Sequence, residues 1–350
     1  MKLYIGLDVS MKDTSVCIIS ETGKIIKEHI LTTDPEIIAT YIKKQNHDID
    51  LVGLESGSLS HWLTEELLER GLPVKCIDAR HCSAFLSMRI NKTDRNDAQG
   101  IAEVMRCGIY REVQVKSRDI REVSSLLTSR RQLVEQRSRI LMSIRGILKP
   151  FGIRLGSISK TKAGVGKILE VIAEKGINES VLFAVQNMIV AAQALIDGIS
   201  NLDRKITECV KNEPKAQILM TIPGVGPITA LKYLVEISDP HRFKNSRSVG
   251  AYLGLTPKQY ASGETQKQGR ISKCGSKDLR SLLVEAAIVL ITRTKSWSKL
   301  KAWGLKLMRK NGLKKSATAV ARKLAVIMHT MLVTNTTFRF CDEELKPQNA

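Results

Sequence analysis

Four acidic residues of this 350-residue chain stand where metal chemistry would need them. They are Asp8 in Gly6-Leu7-Asp8-Val9, Glu55 in Leu54-Glu55-Ser56-Gly57, and Asp94 and Asp97 in Lys92-Thr93-Asp94-Arg95-Asn96-Asp97-Ala98. The first two close runs with strand character. The last two lie three apart, so on a helix they share a face. Gathered carboxylates repel one another, and one takes up a proton unless cations neutralise the group. Hard oxygen ligands suit Mg2+ or Mn2+. Two such ions roughly 3.5–4 Å apart activate an attacking oxygen and stabilise a leaving one at a phosphodiester. Taken singly, each acid has a plain structural reading: an aspartate ending an apolar strand caps a turn, and acids favour the start of a helix. The argument for chemistry is the set of four, in this order, each at the end of an element.

Positioning those acids takes a sheet with a helix laid across it, and the hydrophobic pattern predicts both. Leu3–Val9, Thr14–Ser20 and Lys24–Leu31 read as strands joined by tight turns, an antiparallel meander. Residues 35–45 are predicted helical, with Asp34 as cap and Pro35 in the first position. A strand over 50–55, a helix over 60–70, a strand over 73–78 and a helix over 93–108 capped by Thr93 follow. The order β-β-β-α-β-α-β-α is that of the ribonuclease H-like fold. In it, adjacent central strands set Asp8 and Glu55 side by side and the last helix packs across them. Farther on, 118–149 and 179–211 carry apolar residues at helical spacing on either side of the Gly-rich 152–166. They suggest a helical hairpin or coiled coil that serves as spacer, dimer seam or DNA contact. From about Gln217 a mainly α domain is expected, with a Gly-, Ser- and Lys-rich loop and basic helices near 277–292 and 316–333. The expected division is 1–112 metal-binding catalytic domain, 113–214 helical region, 215–338 basic domain and 339–350 flexible tail.

The formal net charge is +20, an excess that points to a polyanionic partner. It is unevenly spread: residues 1–110 hold 13 Lys+Arg against 16 Asp+Glu, whereas 258–323 hold 17 basic residues against three acidic ones. Aromatics are only 4%, so base stacking on aromatic platforms is not the expected mode of binding. The seven cysteines are scattered with no CxxC, which argues for reduced thiols in a cytoplasmic protein and against a zinc site. The apolar run 282–291 is short and holds Glu285, so it is not expected to span a membrane. Ile222-Pro223-Gly224-Val225-Gly226-Pro227 looks like the turn of a helix-hairpin-helix, with Gly224, Val225 and Gly226 offering backbone N–H groups to phosphate; a plain tight turn is the alternative. Arg270, Lys273, Lys277 and Arg280 are the expected phosphate ligands, with Lys258 and Lys267 as weaker candidates.

GLDVSMK, LESGS and KTDRNDA resemble, in order and spacing, the DEDD motifs of transposases of the insertion-sequence 110 family. The second half is similar too, in Tyr252-Leu253-Gly254-Leu255-Thr256-Pro257, in Ser262-Gly263 and in Gly269-Arg270-Ile271-Ser272-Lys273-Cys274-Gly275, so the resemblance covers most of the chain. One departure is Gly57-Ser58 where the family commonly has Thr-Gly, a loop change expected to leave Glu55 in place. The resemblance implies a RuvC-like first domain with Mg2+ on the four carboxylates. It implies an enzyme that excises and inserts its own mobile element by cutting and rejoining DNA. It maps the family's nucleophilic serine best onto Ser262, with Ser272 in reserve; from spacing alone Ser262 is an ordinary loop serine. It further implies an oligomer, dimer or tetramer, working on donor and target duplexes, and a structured noncoding bridge RNA whose base pairing chooses the sites. Three other readings stay open. One is a junction-resolving endonuclease that uses water in place of serine. Another is a non-catalytic nucleic-acid-binding protein. The third is a ribonuclease H-like nuclease acting on RNA, to which the basic half would be superfluous.

Overall fold

The computed structural model describes residues 1–45, 47–79, 93–158, 160–262 and 265–340, without the side chains of 261, 262, 265 and 266. The chain forms two compact units, Met1–Ser117 and Arg118–Ala350.

In the first unit β1 (Lys2–Val9), β2 (Asp13–Ser20) and β3 (Ile25–Thr32) form the antiparallel meander, and β4 (Asp48–Glu55) and β5 (Val74–Ile77) extend it in parallel, giving the order β3-β2-β1-β4-β5. This is the ribonuclease H-like arrangement. Strand side chains alternate between faces. Leu3, Ile5 and Leu7 of β1, with Val52 and Leu54 of β4, pack against Ile38 and Ile42 of α1 (Pro35–Lys43) and Leu63 and Leu67 of α2 (Ser60–Glu69). The opposite face belongs to α3 (Asp94–Cys107), whose Ala98, Ile101, Ala102, Val104 and Met105 cover Tyr4, Cys17, Ile19, Leu51 and Ile77. The segment after α3 turns back beside β5, with Val113 N donating to Cys76 O at 2.8 Å and an isolated bridge between Ile77 and Glu112.

α3 lies so close to β1 that Gly6 cannot carry a side chain. A Cβ there would sit 2.0 Å from the Ala98 carbonyl oxygen and 2.5 Å from the Ala102 nitrogen, both backbone atoms. At the paired Gly53 the nearest atoms belong to the flexible Met105 side chain. Gly6→Ala is therefore expected to destabilise the full chain by about 1–3 kcal/mol through overpacking, and Gly53→Ala by less. Denaturant unfolding of the two variants checks the ranking.

In the second unit α4 (Arg118–Leu148) and α6 (Glu179–Lys211) run antiparallel, and α5 (Lys162–Ala173) packs on one end of the pair through Val165, Ile168 and Ile172. A separate core joins α7 (Pro214–Met220), α8 (Pro227–Ile237), α9 (Ser246–Tyr252), α10 (Lys277–Thr292) and α11 (Lys299–Thr334). Its centre is the fully buried Tyr233, which donates to the Ala325 carbonyl at 2.6 Å; burial holds its phenol well above the ordinary range. α11 is broken at Gly312 (φ 75°), and its first part folds back, with Gly304 against Ile291 and Val320. Residues 257–271, expected as a loop, are instead a two-stranded hairpin, β6 (Pro257–Ser262) and β7 (Thr265–Ile271). Two helices, Glu179–Lys211 and Lys299–Thr334, are long and apolar enough by length and composition to cross a membrane, which the reading of 282–291 as the most apolar stretch did not anticipate. Both contribute to the shared helical cores just described.

Candidate active site

Asp8 and Glu55 reach the same edge of the first unit's sheet for a local reason. β1 and β4 pair in parallel up to Leu7 and Leu54, and the next residue on each strand is the acid. Adjacent strands are about 4.8 Å apart, so the two carboxylates leave neighbouring backbones. The face follows from the alternation. Gly6 and Gly53 lie under α3, and two residues farther on Asp8 and Glu55 look to the same side. Glu55 also pairs with Ile77, which belongs to the α3-facing cluster.

The helix brings the other two acids to that edge. Ala98 sits over Gly6 while Met105 sits over Gly53 and shares a cluster with Tyr4, so α3 runs opposite to β1 and begins near the strand's acidic end. Thr93 caps it, its hydroxyl accepting from Asn96 N at 3.2 Å, and Gly108 ends it in the left-handed conformation. Asp94 and Asp97 occupy the first turn, where the helix dipole favours negative charge. Between them Arg95 pairs with Glu28 of β3, which fixes the rotation of the helix start on the meander. Asp8, Glu55 and Asp97 are half-buried and Asp94 is exposed. Among the described residues no three His, Cys, Asp or Glu side chains are gathered closely enough to hold an ion as they stand. By donor type alone, carboxylate oxygens are hard ligands of the kind that Mg2+ and Mn2+ take. The loop after Glu55, where Gly57-Ser58 departs from the family pattern, is tied down: Ser60 Oγ donates to Gly57 O at 2.8 Å and Ser56 Oγ accepts from Ala79 N at 3.2 Å.

In the second unit the backbone of Ser262 pairs with Thr265 at the far end of the β6–β7 hairpin; its side chain and Gly263 lie outside the described residues. Ser272 sits at the opposite end, its N–H donating to the Thr256 carbonyl at 2.8 Å. There the two glycine motifs interlock. A Cβ on Gly254 would lie 2.3 Å from the backbone of Cys274, and one on Gly275 would lie 2.4 Å from the Tyr252 carbonyl. Lys258, Lys267, Arg270, Lys273 and Lys277 are exposed around this hairpin.

Three of the expected phosphate-binding residues, Arg280, Gly224 and Val225, are engaged inside the fold. Arg280 gives its guanidinium to the carbonyls of Leu253, at 3.1 Å, Cys274 and Gly275. Arg280→Ala is thus expected to cost about 2 kcal/mol, the scale of a hydrogen bond to a charged group. Lys277→Ala should leave stability unchanged, and thermal melts separate the two. Gly224 (φ +94°) is pressed on α10, where a Cβ would lie 2.6 Å from the Ala286 carbonyl, and Val225 is buried; only Gly226 has open space at its Cβ position. Sequence reasoning passed over Arg137, a buried arginine on α4. A basic residue on the apolar seam of a long helix was the available signal.

The chain matches two family models: a DEDD-type transposase model of the IS110 group over residues 5–152, and the transposase IS116/IS110/IS902 family over residues 216–302. It is 28% identical to the transposase for insertion sequence element IS1111A of Coxiella burnetii, over 96% of this chain and 91% of that one. It is 30% identical to a putative transposase of Sinorhizobium fredii, over 83% of this chain and 74% of that one. A RuvC structure from Thermus thermophilus aligns with 32% of this chain and 99% of its own length, at 12% identity and a TM-score of 0.26.

Proposed function

The chain belongs to the IS116/IS110/IS902 family of DEDD transposases, and from that premise we propose that Asp8, Glu55, Asp94 and Asp97 hold Mg2+ or Mn2+ while Ser262 attacks DNA to excise and insert the chain's own mobile element. Family membership makes it an enzyme of DNA strand cleavage and transfer. The observation that supports the metal assignment best is the shared edge: the residues after the Leu7–Leu54 pair are both acids, on the face over which the Asp94–Asp97 turn begins.

When bound, the ions supply Lewis-acid stabilisation at a phosphodiester. The carboxylates would orient them and, without the ions, would repel the phosphate at this edge. Ser262 Oγ forms a bond to phosphorus as the scissile P–O bond breaks. The departing DNA oxygen keeps the electron pair and takes up a proton, and the serine proton leaves with a base or to solvent. A free DNA hydroxyl reverses the displacement, restores the serine and rejoins the strand. The phosphoserine conserves the bond energy, so no ATP is consumed. Ser262 and the carboxylates meet for this step within one chain or between protomers.

Exposed Lys258, Lys267, Arg270, Lys273 and Lys277 hold the backbone of the strand being cut, and Gly226 is the member of its turn left open to a phosphate. In the same reading a structured noncoding RNA of the element pairs with donor and target DNA. An oligomer, dimer or tetramer, joins the two duplexes, with α4 and α6 as a coiled-coil seam or spacer. The chain works in the cytoplasm, at the nucleoid. Incubation with the element's junction DNA, its noncoding RNA and Mg2+, followed by a denaturing gel, should show a protein-linked strand that chelator abolishes. Cleavage without any linked strand would favour the water-using endonuclease, and Mg2+-independent binding with no cleavage the non-catalytic reading.

A further inference from the structure

We propose that the groove around Arg137 on the α4–α6 pair is a second nucleic-acid site, one that grips the phosphate backbone away from the cutting centre.

The groove has a volume of about 540 Å3 and is lined by four cations, Arg137, Lys160, Arg204 and Lys211, and by two acids, Asp203 and Glu208. Arg137 is 8% exposed, and its Nε has no hydrogen-bond partner among the described residues. A buried guanidinium nitrogen with no hydrogen-bond partner is expensive. Burial, and then the neighbouring Arg130, push its pKa below the usual arginine value against the opposing pull of Asp203. The acids nearby are already engaged, Asp203 by Arg130 and Glu208 by Lys205 at 3.1 Å. The positive charge of the groove is therefore left for a ligand.

The spacing selects a polyanion. Arg204 and Lys211 are seven residues apart on α6, about 10 Å along the helix axis, farther than one phosphate can bridge, so a chain of phosphates is needed to engage both. Lys160, Arg204 and Lys211 are exposed at the rim, so they meet the backbone first, and Arg137 waits at the floor. Such an arrangement holds a strand without reading its sequence, which suits a component whose site choice lies elsewhere. The inference rests on the reading of the chain as a nucleic-acid enzyme.

The test is binding of the full chain to fluorescent duplex DNA, single-stranded DNA and hairpin RNA across a salt series. The rim variant Lys160→Gln/Arg204→Gln/Lys211→Gln is compared with a charge-matched control, Lys24→Gln/Lys43→Gln/Lys44→Gln on the acidic unit. Each phosphate that is no longer neutralised takes about 0.7–0.9 from the slope of log K against log salt. The rim variant should lose a slope of about 2–3 and at least tenfold in affinity on one nucleic acid, while the control binds as wild type. The form that loses affinity identifies the ligand as duplex, single strand or RNA. Arg137→Met serves as a second variant; with nucleic acid absent it should melt no lower than wild type, because the buried Nε it removes has no hydrogen-bond partner among the described residues. Equal slopes for rim variant and wild type on all three ligands overturn the inference alone. A wild-type chain that binds none of them at low salt overturns the functional reading as well.

Discussion

Replacing Asp8 by asparagine is expected to abolish strand cleavage while DNA binding and the fold remain. Asparagine keeps the shape of the side chain and removes one of the four charges at the α3 edge. Asp8 follows the Leu7–Leu54 pair directly and is the counterpart of Glu55 on the neighbouring strand. A fall of at least 10³-fold in cleavage corresponds to about 4 kcal/mol of lost transition-state stabilisation. A second readout needs no DNA. An ion that binds only the folded chain raises its melting temperature by mass action, so wild type should melt higher with Mg2+ and Asp8→Asn should not. The readout is the Mg2+-dependent rise itself, each chain being compared with its own metal-free melt. Asp48→Asn, on β4 at the far end of the sheet opposite Lys2, is the control and should cut and respond to Mg2+ as wild type. Cleavage by Asp8→Asn at the wild-type rate would remove the carboxylates from the chemistry.

What the sequence made legible here is what local physics decides. Alternation in Leu3, Ile5 and Leu7 sets the face of β1 within a few residues, and that alone puts Asp8 on the other side. Thr93 and Gly108 bound α3 by capping, which needs nothing beyond the helix itself. Elements held by partners distant along the chain were less visible. The β6–β7 hairpin carries Lys258, Gln259, Gln266, Lys267, Gln268 and Arg270, so no apolar face betrays its period of two. α5 was hidden in a stretch whose glycines read as a connection, although Val165, Ile168 and Ile172 share one buried stripe. The glycines of the 222–227 turn suggested a phosphate cradle, yet Gly224 answers to the Ala286 carbonyl more than sixty residues away. Arg280 read as a free cation for the same reason, since the three carbonyls that occupy it come together only in the fold.

The serine is where geometry adds most to the resemblance. Ser262→Ala should eliminate the protein-linked strand and lower cleavage by at least 10³-fold, about 4 kcal/mol, with binding unchanged. Ser272→Ala should retain the linked strand. The difference follows from where each backbone lies. Ser272 stands at the base of the hairpin, its amide bound to Thr256 and its neighbour Lys273 bound to Gly254 at 3.1 Å. That position is fixed by the interlocked Gly254 and Gly275 turns and cannot travel. Ser262 lies at the other end of β6, about 15–20 Å farther out at 3.3 Å per residue. In the proposed mechanism the nucleophile reaches carboxylates carried by the other unit, which suits the end of β6 away from the interlocked turns better than the pinned base. The polar residues of both strands suit contact with phosphate along the hairpin. If Ser262→Ala still forms the linked strand and Ser272→Ala does not, the roles exchange and the base of the hairpin is the reactive end. If wild type and both variants cut with no linked strand, water is the nucleophile, and the basic hairpin serves only to hold the substrate.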